Sequence, residues 1–517
     1  MLRKIRVAAA IVFFALITLL FLYFTGSVHL WFGWMAKIQF MPALLALNLF
    51  VLAVLAVLTL LLGRVYCSVI CPLGVMQDIF AWFGKRAKKN RYSYSKPKTL
   101  LRAIVLFLYG AATAAGLGTV TALLAPYSAY GRIASSLLAP VYRFGNNILA
   151  YFAERAESYA FYSTEIWLKS LPVLVVAVLT LVILAFLAWR GGRTYCNTIC
   201  PVGTVLGMLA KYSWFKPVID TSKCNGCGLC ERNCKASCIS SKEHSIDYSR
   251  CVACMDCVEK CRQGAISYRH AGSVSKVADN MKDNIKADGK GSEGKASSEN
   301  GRRAFLAATA VLATASVAKA QEDKVDGGLA VVLDKKAPKR QGKIVPPGAL
   351  SVANLEQHCT GCQLCVSACP NGVLRPSTDL MSMLQPQSSY ERGFCRPECT
   401  ECSDVCPAGA IRPISVEEKS SIQIGHAVWI KKNCLSVTDG VSCGKCASVC
   451  PVGAIQMVKI TCDQCVMKCD ENGNKRCAMI PVVNEERCIG CGACENLCPS
   501  RPFSAIYVEG HEVHKNI

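Results

Sequence analysis

The sequence lacks the short motifs through which many enzymes bind their cofactors or activate their substrates. It has no Cys-x-x-Cys-His haem attachment site, no phosphate-binding P-loop, no glycine-rich dinucleotide motif and no recognisable catalytic triad. Acidic residues are also scarce, since 36 Asp and Glu face 58 Lys and Arg, which gives a formal charge of +22. These absences exclude the familiar nucleotide-dependent and haem-dependent classes of enzyme. We therefore expect substrate turnover to take place on a partner protein.

What the chain does contain is cysteine and long apolar runs. There are 33 cysteines in 517 residues, and the mean hydropathy is positive at +0.29. This combination fits neither a soluble enzyme nor a small secreted domain held together by disulfides. It indicates a membrane protein that carries metal clusters.

Four apolar runs are long enough to cross a hydrocarbon core of about 30 Å. They cover residues 7–24, 41–62, 103–125 and 171–189. The segment 64–102 is strongly basic and has the single acid Asp78, whereas residues 126–170 are nearly balanced in charge. By the positive-inside rule we expect a multi-pass protein of the bacterial inner (cytoplasmic) membrane, with its N-terminus and the 64–102 segment in the cytoplasm. Because the basic excess belongs to this topology signal and to a linker described below, we expect no nucleic-acid binding.

A twelve-residue stretch occurs twice: GRVYCSVICPLG follows the second apolar run and returns as GRTYCNTICPVG after the fourth. Each copy has two cysteines spaced i and i+4, which places them on one face of a helix. The four thiols are candidates for one metal centre or for two redox-active pairs, and Arg64 and Arg193 precede them where they would offset negative charge. The alternative is a purely structural helix exit, anchored at the membrane interface by Tyr66, Tyr195 and the arginines. The four cysteines are Cys67, Cys71, Cys196 and Cys200.

Residues 216–271 form a small cysteine-dense segment with two tandem four-cysteine motifs. CNGCGLCERNC and CVACMDCVEKC have the spacing of bacterial ferredoxins, in which the fourth Cys of each motif ligates the cluster of the other. Lys235 and Arg262 stand where such motifs usually have proline, and zinc is the alternative metal for paired Cys-x-x-Cys motifs. Cys238 is left over and is predicted to be a buried thiol. We predict a cytoplasmic domain with two [4Fe-4S] clusters, whose ligand sets are Cys224, Cys227, Cys230 with Cys261, and Cys251, Cys254, Cys257 with Cys234.

A polar, low-complexity segment at residues 272–300 is predicted to be a flexible linker. Residues 301–321 then combine Arg302 and Arg303 with a short apolar stretch and an Ala-x-Ala end at Ala320. This form is similar to a twin-arginine signal, which implies export of a folded second half by the twin-arginine machinery. The segment is either cleaved or kept as a fifth membrane anchor. The alternative is a short buried helix.

Residues 322–517 contain four motifs that each end in Cys-Pro, and we predict that they hold four further [4Fe-4S] clusters in an exported polyferredoxin domain. Two motifs have the ferredoxin spacing, and in two variants the first cysteine lies further out. We expect the first motif to exchange its fourth ligand with the last, and the middle two with each other. The predicted ligands are Cys359, Cys362, Cys365, Cys369, Cys395, Cys399, Cys402, Cys406, Cys434, Cys443, Cys446, Cys450, Cys488, Cys491, Cys494 and Cys498.

Four more cysteines of this half have irregular spacing and no terminal Cys-Pro. They either hold a fifth exported cluster or form disulfides in an oxidising compartment. The cofactors expected are therefore about six [4Fe-4S] clusters, with candidate sites for one more in the membrane domain and one more at these cysteines. They are Cys462, Cys465, Cys469 and Cys477.

Two family resemblances follow from these motifs. The four apolar runs, the two Cys-x3-Cys-Pro motifs and the first two-cluster domain resemble the NapH membrane ferredoxin (quinol dehydrogenase) of periplasmic nitrate respiration. The second half, with its twin-arginine-like start, VPPGALSVANLEQHCTGCQLCVSACP and the Cys-x8-Cys motif, resembles the exported polyferredoxins NapG and MauM. The chain is thus similar to a natural fusion of the two. The resemblance implies oxidation of the membrane quinol pool, with the paired thiols beside a quinol pocket, and delivery of electrons to a periplasmic reductase or cytochrome.

The predicted fold is multi-domain. A four-helix transmembrane bundle spans residues 1–215, and α+β two-cluster ferredoxin-like domains of the bacterial type span residues 216–271 and 322–517. The predicted function is that of a membrane-bound iron–sulfur electron-transfer subunit in anaerobic respiration. Two alternatives remain: a regulatory or assembly ferredoxin for a periplasmic reductase, and a wire that carries electrons outward from cytoplasmic reductants.

Overall fold

A computed structural model describes residues 2–23, 27–87, 92–158, 160–166, 170–270, 325–326, 330–331, 333–459 and 479–517. The predicted linker at 272–300 and the signal-like segment at 301–321 lie outside the described residues. So do the four irregularly spaced cysteines, Cys462, Cys465, Cys469 and Cys477.

The first 210 residues form a helical bundle. Its longer helices are α1 (Leu2–Leu22), α2 (Leu49–Leu62), α3 (Pro72–Arg86), α4 (Thr99–Ala114), α5 (Ala139–Arg155), α6 (Leu171–Gly191) and α7 (Pro201–Ala210). Shorter helices lie at Ser27–Phe32, Trp34–Lys37, Phe40–Leu45, Gly118–Leu124, Pro126–Ile133 and Thr194–Thr198, and π-helical turns lie at Tyr66–Ile70 and Ala134–Leu138.

Within the described residues, two helices are long and apolar enough to cross a membrane, as judged by length and composition alone. These are α1 and α6, with 21 residues each, which corresponds to about 31 Å. The other two predicted spans are each broken into two pieces. The run 41–62 breaks at Leu47, whose φ is +50°, and α2 then starts at an N-cap where the Asn48 side chain accepts a hydrogen bond from Val51 N. The run 103–125 breaks at Gly116, whose φ is +73°. The four-helix transmembrane bundle thus stays a prediction.

Both long helices bury one stripe and leave the rest of their apolar surface exposed. In α6 the buried residues are Val173, Ala177, Leu184 and Ala188. Its exposed residues are just as apolar, for example Val175, Leu179, Val182, Ile183 and Phe186. An apolar surface of this length is unusual on a monomer in water.

A small α+β domain follows the bundle and lies against one end of it. Its main strands are Phe215–Ile219 and Ile266–His270, which pair antiparallel, and a short hairpin joins Ile239–Ser240 to Ser245–Ile246. Its helices are Leu229–Arg232 and Asp256–Lys260. The predicted domain limits of 216 and 271 stay a prediction. The Tyr268 hydroxyl donates to Leu62 O at 2.8 Å, which ties the domain to the end of α2.

Buried charges fasten this domain to the start of α1. The Asp78 carboxylate accepts contacts from Arg6 at 3.1 Å, Arg193 at 2.9 Å and Lys235 at 3.4 Å. Lys235 also contacts Asp256 at 3.0 Å. The single acid of the basic 64–102 segment is therefore the centre of an ion network that joins both copies of the repeat to the domain.

The C-terminal region, residues 333–517, is built from short helices and three antiparallel strand pairs. The pairs are Leu374–Pro376 with Pro386–Ser388, Ile422–Trp429 with Ile506–Asn516, and Ile455–Lys459 with Met479–Val483. The α-helices are Val352–His358, Leu364–Ala368, Glu401–Asp404, Val416–Ser421, Leu435–Thr438, Lys445–Ser448 and Ala493–Leu497, with 3-10 turns at Lys431–Asn433 and Glu485–Arg487. Before this region, Val325–Asp326 pairs with Ala330–Val331.

This region packs on the opposite end of the bundle. The Ser128 hydroxyl donates to Thr360 O at 2.6 Å, and the Thr119 hydroxyl donates to Leu380 O at 2.6 Å. The ring of Phe21, near the end of α1, and the carbonyl of Cys362 both lie close to Gly131. Arg3, near the start of α1, contacts the first domain through Asp256 at 2.7 Å. The two cysteine-rich regions therefore lie at opposite ends of α1, about 27 Å apart along its axis.

Candidate iron–sulfur and thiol sites

The four motifs with full ferredoxin spacing share one backbone conformation. In each, the residue before the second cysteine and the residue after it have positive φ, so that the loop wraps around a common centre. Two of the motifs meet this requirement with residues other than glycine, notably Ala253, Met255 and Gln363. The eight positions are Gly226, Gly228, Ala253, Met255, Gly361, Gln363, Gly490 and Gly492, with φ between 48° and 79°.

In the first domain, the predicted exchange of ligands fits the geometry. The thiols of Cys254, Cys251 and Cys234 surround Cys257, and burial together with their negative charge raises the pKa of that thiol well above its usual range. This is the predicted set Cys251, Cys254 and Cys257 with Cys234. Cys224 and Cys227 likewise lie near Cys230. The assignment of Cys261 to this second set stays a prediction.

Cys238 has a role that the sequence did not indicate. It is buried, as predicted, and its sulfur lies 3.5 Å from that of Cys234. The hydrogen bond from Cys238 lowers the pKa of Cys234 to about 7. The single S–H of Cys238 can instead be donated to Cys251, whose pKa it likewise lowers. Cys238 thus stabilises the charged form of either one of two predicted ligands of one cluster, and its spacing of four residues from Cys234 is the only signal in the sequence.

In the C-terminal region, the first two motifs exchange ligands with each other. Cys365 is surrounded by Cys362, Cys359 and Cys406, which together with burial raise its pKa. Cys402 is correspondingly surrounded by Cys395, Cys369 and Cys399. The expected pairing of the first motif with the last is therefore wrong.

The third and fourth motifs form the other pair. Cys494 lies among Cys491, Cys488 and Cys450, and Cys446 lies among Cys443, Cys434 and Cys498. The reason is the packing of the helix in each motif. Leu364–Ala368 packs on Glu401–Asp404, and Lys445–Ser448 packs on Ala493–Leu497. Each helix carries the third cysteine of its own motif and delivers the fourth cysteine to its neighbour.

These thiol sets fit iron–sulfur clusters. Burial raises the pKa of Cys254 to about 12 and that of Cys446 to about 11, so several such thiols would ionise together only around a cationic centre. Backbone N–H groups point at the sulfurs of three Cys-Pro cysteines, from Ile411 to Cys406 at 3.4 Å, from Ala454 to Cys450 at 3.2 Å and from Ala505 to Cys498 at 3.3 Å. Hydrogen bonds of this kind tune the potential of a cluster. In the described part of the chain, no three Cys, His, Asp or Glu side chains close on one point as ligands of a single metal ion.

The four thiols of the repeat are buried together inside the bundle. Cys67, Cys71, Cys196 and Cys200 are each at most 5% exposed. The two arginines cross between the copies: Arg64 donates to Cys196 O at 3.3 Å and Arg193 donates to Cys67 O at 2.6 Å. Arg64 Nη2 also lies 3.7 Å from Cys67 Sγ, and Arg193 Nη1 lies 4.0 Å from Cys196 Sγ. The arrangement sets two positive charges beside the thiols, as the sequence predicts.

The alternative of a surface anchor does not fit these residues. Arg64 and Arg193 are completely buried, and Tyr66 is 1% exposed. The Tyr66 hydroxyl donates to Gln39 Oε1 at 2.9 Å, which keeps it inside the bundle. Glycine is required beside each arginine, because a Cβ at Gly74 would overlap Arg193 and Cys67 O, and a Cβ at Gly203 would overlap Arg64 and Cys196 O.

Comparison with known proteins agrees with these sites. Models of a 4Fe-4S binding domain match residues 44–91, 171–221, 244–267 and 481–504, and models of a 4Fe-4S dicluster domain match residues 358–411 and 394–454. The first two matches contain the two copies of the repeat. The match at 358–411 contains the motif pair that the geometry joins, whereas the match at 394–454 runs across the boundary between the two pairs.

The ferredoxin-type protein NapG of Escherichia coli (strain K12) is 31% identical over 219 residues, which cover 39% of this chain and 82% of NapG. The chain belongs to the ferredoxin-type family of NapG and MauM. The methylamine utilization ferredoxin-type protein MauM of Methylophilus methylotrophus is 32% identical over 32% of this chain and 71% of MauM. The ferredoxin-type protein NapF of Escherichia coli (strain K12) is 25% identical over 36% of the chain and 99% of NapF. No solved structure matches. The protein is therefore an iron–sulfur protein of the ferredoxin type that transfers electrons.

Proposed function

We propose that this iron–sulfur protein is embedded in the cytoplasmic membrane, oxidises quinol there, and passes the electrons through its exported clusters to a periplasmic reductase or cytochrome. The observation that carries the proposal is the position of the two cysteine-rich regions at opposite ends of a bundle whose long helices expose apolar side chains. This is the geometry that a protein needs if it carries one ferredoxin region on each side of a bilayer of about 30 Å.

The membrane location is supported by the surfaces of α1 and α6. Their exposed faces carry Ile11, Val12, Val175, Leu179 and Phe186, which water would solvate poorly. The basic segment 64–102 and the start of α1 lie at the same end of the bundle, where Asp78 joins them. Positive charge at one end of a bundle is typical of its cytoplasmic side.

The division of work between the residues follows from the sites. The motif cysteines would hold [4Fe-4S] clusters, which supply one-electron chemistry when bound. The chain itself excludes water from the thiols and places N–H donors on their sulfurs, as Ala505 does for Cys498. The buried thiols Cys67 and Cys196, with their arginines, are candidates for a centre within the bundle. The resemblance to NapH, fused to a NapG-like half, supports quinol as the electron donor.

The proposal is tested by anaerobic reduction of the purified protein with a soluble quinol such as duroquinol. We expect the low-temperature EPR signals of reduced clusters to appear with quinol and to reach a larger amplitude with dithionite, which reduces clusters of lower potential as well. A preparation with full iron content whose clusters respond to dithionite and never to quinol would contradict quinol oxidation. Such a result would leave the two alternatives, a regulatory or assembly ferredoxin and a carrier of electrons outward from a cytoplasmic donor.

A further inference from the structure

A cavity lies between the bundle and the first motif of the C-terminal region. The space between them is about 550 Å³ when the part that is open to the outside is included, and only a small part of it is enclosed. The walls come from the end of α1, the start of α5 and the start of α6 on one side, and from the loop and helix of the first exported motif on the other. Its apolar lining includes Phe21, Ala139, Pro140, Val173 and Leu174.

Four polar side chains that line this cavity have a buried atom with no hydrogen-bond partner among the described residues. These atoms are Gln363 Nε2, Ser367 Oγ, Ser170 Oγ and Arg143 Nε. Gln363 is 2% exposed and Ser367 is 6% exposed. A buried polar group without a partner destabilises the folded protein, so four of them around one cavity suit a ligand that completes their bonds.

The chemistry of these groups defines the ligand. The Gln363 amide nitrogen and the Arg143 guanidinium can only donate, whereas the serine hydroxyls can donate or accept. They would therefore bind oxygen atoms on an otherwise apolar molecule, because the opposite wall is made of aliphatic and aromatic side chains. Ile166, which lines the cavity, is 39% exposed, and α6, which begins at Leu171, carries an exposed apolar face that offers a route for a hydrophobic tail.

We propose that this cavity binds the head group of a quinol or quinone, which is a ring with two oxygens and an apolar tail. The inference rests on the proposed function and gives it a location. The Ser135 hydroxyl now donates to Gln363 Oε1 at 2.6 Å, which holds the amide with its nitrogen toward the cavity. The enclosed part of the cavity is narrow, so a ring would lie largely in the part that is open to the outside.

The position of the cavity determines where the electrons go. Gln363 directly follows Cys362, and Ser367 lies between Cys365 and Cys369, so a bound ring would lie against the loop that carries three cluster ligands. A quinol that loses two electrons and two protons becomes a quinone. The [4Fe-4S] clusters that the cysteines of the C-terminal region would hold, when bound and oxidised, would each accept one of the two electrons, and the protons would pass to water at this end of the bundle. Electrons from this site reach the exported clusters without crossing the bundle, and the buried thiols at Cys67 and Cys196 are not needed for that step.

The test is a binding titration with the fluorescent quinol analogue 2-heptyl-4-hydroxyquinoline N-oxide, whose quenching by the whole protein in detergent measures affinity. One variant, Gln363→Asn with Ser170→Ala, shortens or removes two donors; asparagine is chosen because it tolerates the positive φ of position 363. A second variant, Ala139→Leu, fills the cavity without touching a polar group. The control is Ser128→Ala, which removes a hydroxyl from the same interface outside the cavity. Iron and sulfide content shows whether each variant is folded.

We expect both cavity variants to bind the analogue at least about tenfold more weakly, the first because it weakens or loses two hydrogen bonds and the second because the larger side chain at position 139 occupies the space of the ring. The control should bind within about twofold of the unchanged protein. Equal affinity in all variants would overturn this site and leave quinol oxidation standing if the clusters of the unchanged protein are still reduced by quinol. A loss in Ser128→Ala as large as in the cavity variants would also overturn it, because the interface as a whole would then set the affinity. If the unchanged protein neither binds the analogue nor accepts electrons from quinol, the proposed function fails together with the site.

Discussion

The pairing of cluster ligands in the C-terminal region can be tested by counting iron in double variants. A chain with six filled cubes contains about 24 iron. In the structure, Cys359 and Cys406 belong to one set, while Cys359 and Cys402 belong to two. Removing both members of one set should destroy one cluster, whereas removing one member from each of two sets should destroy two.

We therefore expect Cys359→Ala with Cys406→Ala to leave about 20 iron per chain, the same as Cys359→Ala alone, and Cys359→Ala with Cys402→Ala to leave about 16. The two double variants are matched, because Cys402 and Cys406 belong to the same motif and differ only in the direction that each sulfur faces. Iron and acid-labile sulfide are measured on anaerobically purified protein, with EPR to detect any cluster that keeps three of its irons.

If the first motif instead exchanged its fourth cysteine with the last motif, the iron content of the Cys359→Ala, Cys406→Ala variant would be lower. In that arrangement Cys406 would serve a different cluster from Cys359, so Cys359→Ala with Cys406→Ala would also fall to about 16 iron. Equal iron in the two double variants would therefore refute the pairing described here.

Two further predictions concern topology and packing. A tag after Ile517 should be accessible to protease in intact spheroplasts, and it should become protected when Arg302 and Arg303 are replaced by Lys. If the tag of the unchanged full-length chain is protected, that result would count against export of the second half. Gly203→Ala should lower the free energy of unfolding by about 1–3 kcal/mol, because the new methyl group overlaps Arg64 and Cys196 O. The control is Gly110→Ala, which should be neutral or stabilising because nothing lies within 4 Å of its Cβ. Equal thermal midpoints for the two variants would contradict the packing around the thiols.

The motifs themselves could be predicted from sequence because their spacing encodes their shape. Three cysteines at intervals of three residues form one loop whatever surrounds them, and the repeat of Gly-Arg-x-Tyr-Cys showed that two segments are equivalent. The first and last strands around the two tandem motifs, Phe215–Ile219 and Ile266–His270, pair with each other. The exchange between these two motifs, represented by Cys234, followed from the tandem arrangement.

Long-range packing could not be predicted from spacing. Which motif receives Cys406 or Cys498 depends on which short helices pack together, and the sequence does not record that choice. Hydropathy likewise marked four apolar runs but not the breaks at Leu47 and Gly116, which arise from single residues with positive φ. In the sequence, Asp78 stands out only as the single acid of the basic 64–102 segment. Its role could not be predicted, because its three partners come from different parts of the chain.

The crossed arginines of the repeat have a consequence for the symmetry of this bundle. Arg64 of the first copy holds the carbonyl of Cys196, and Arg193 of the second holds the carbonyl of Cys67. Such reciprocity is what a two-fold axis produces, since each half then contacts the other through the same pair of positions. Asp78, whose place in the second copy is taken by Gly207, breaks this symmetry, because its contact with Lys235 gives only one of the two equivalent helices a link to the ferredoxin-like domain.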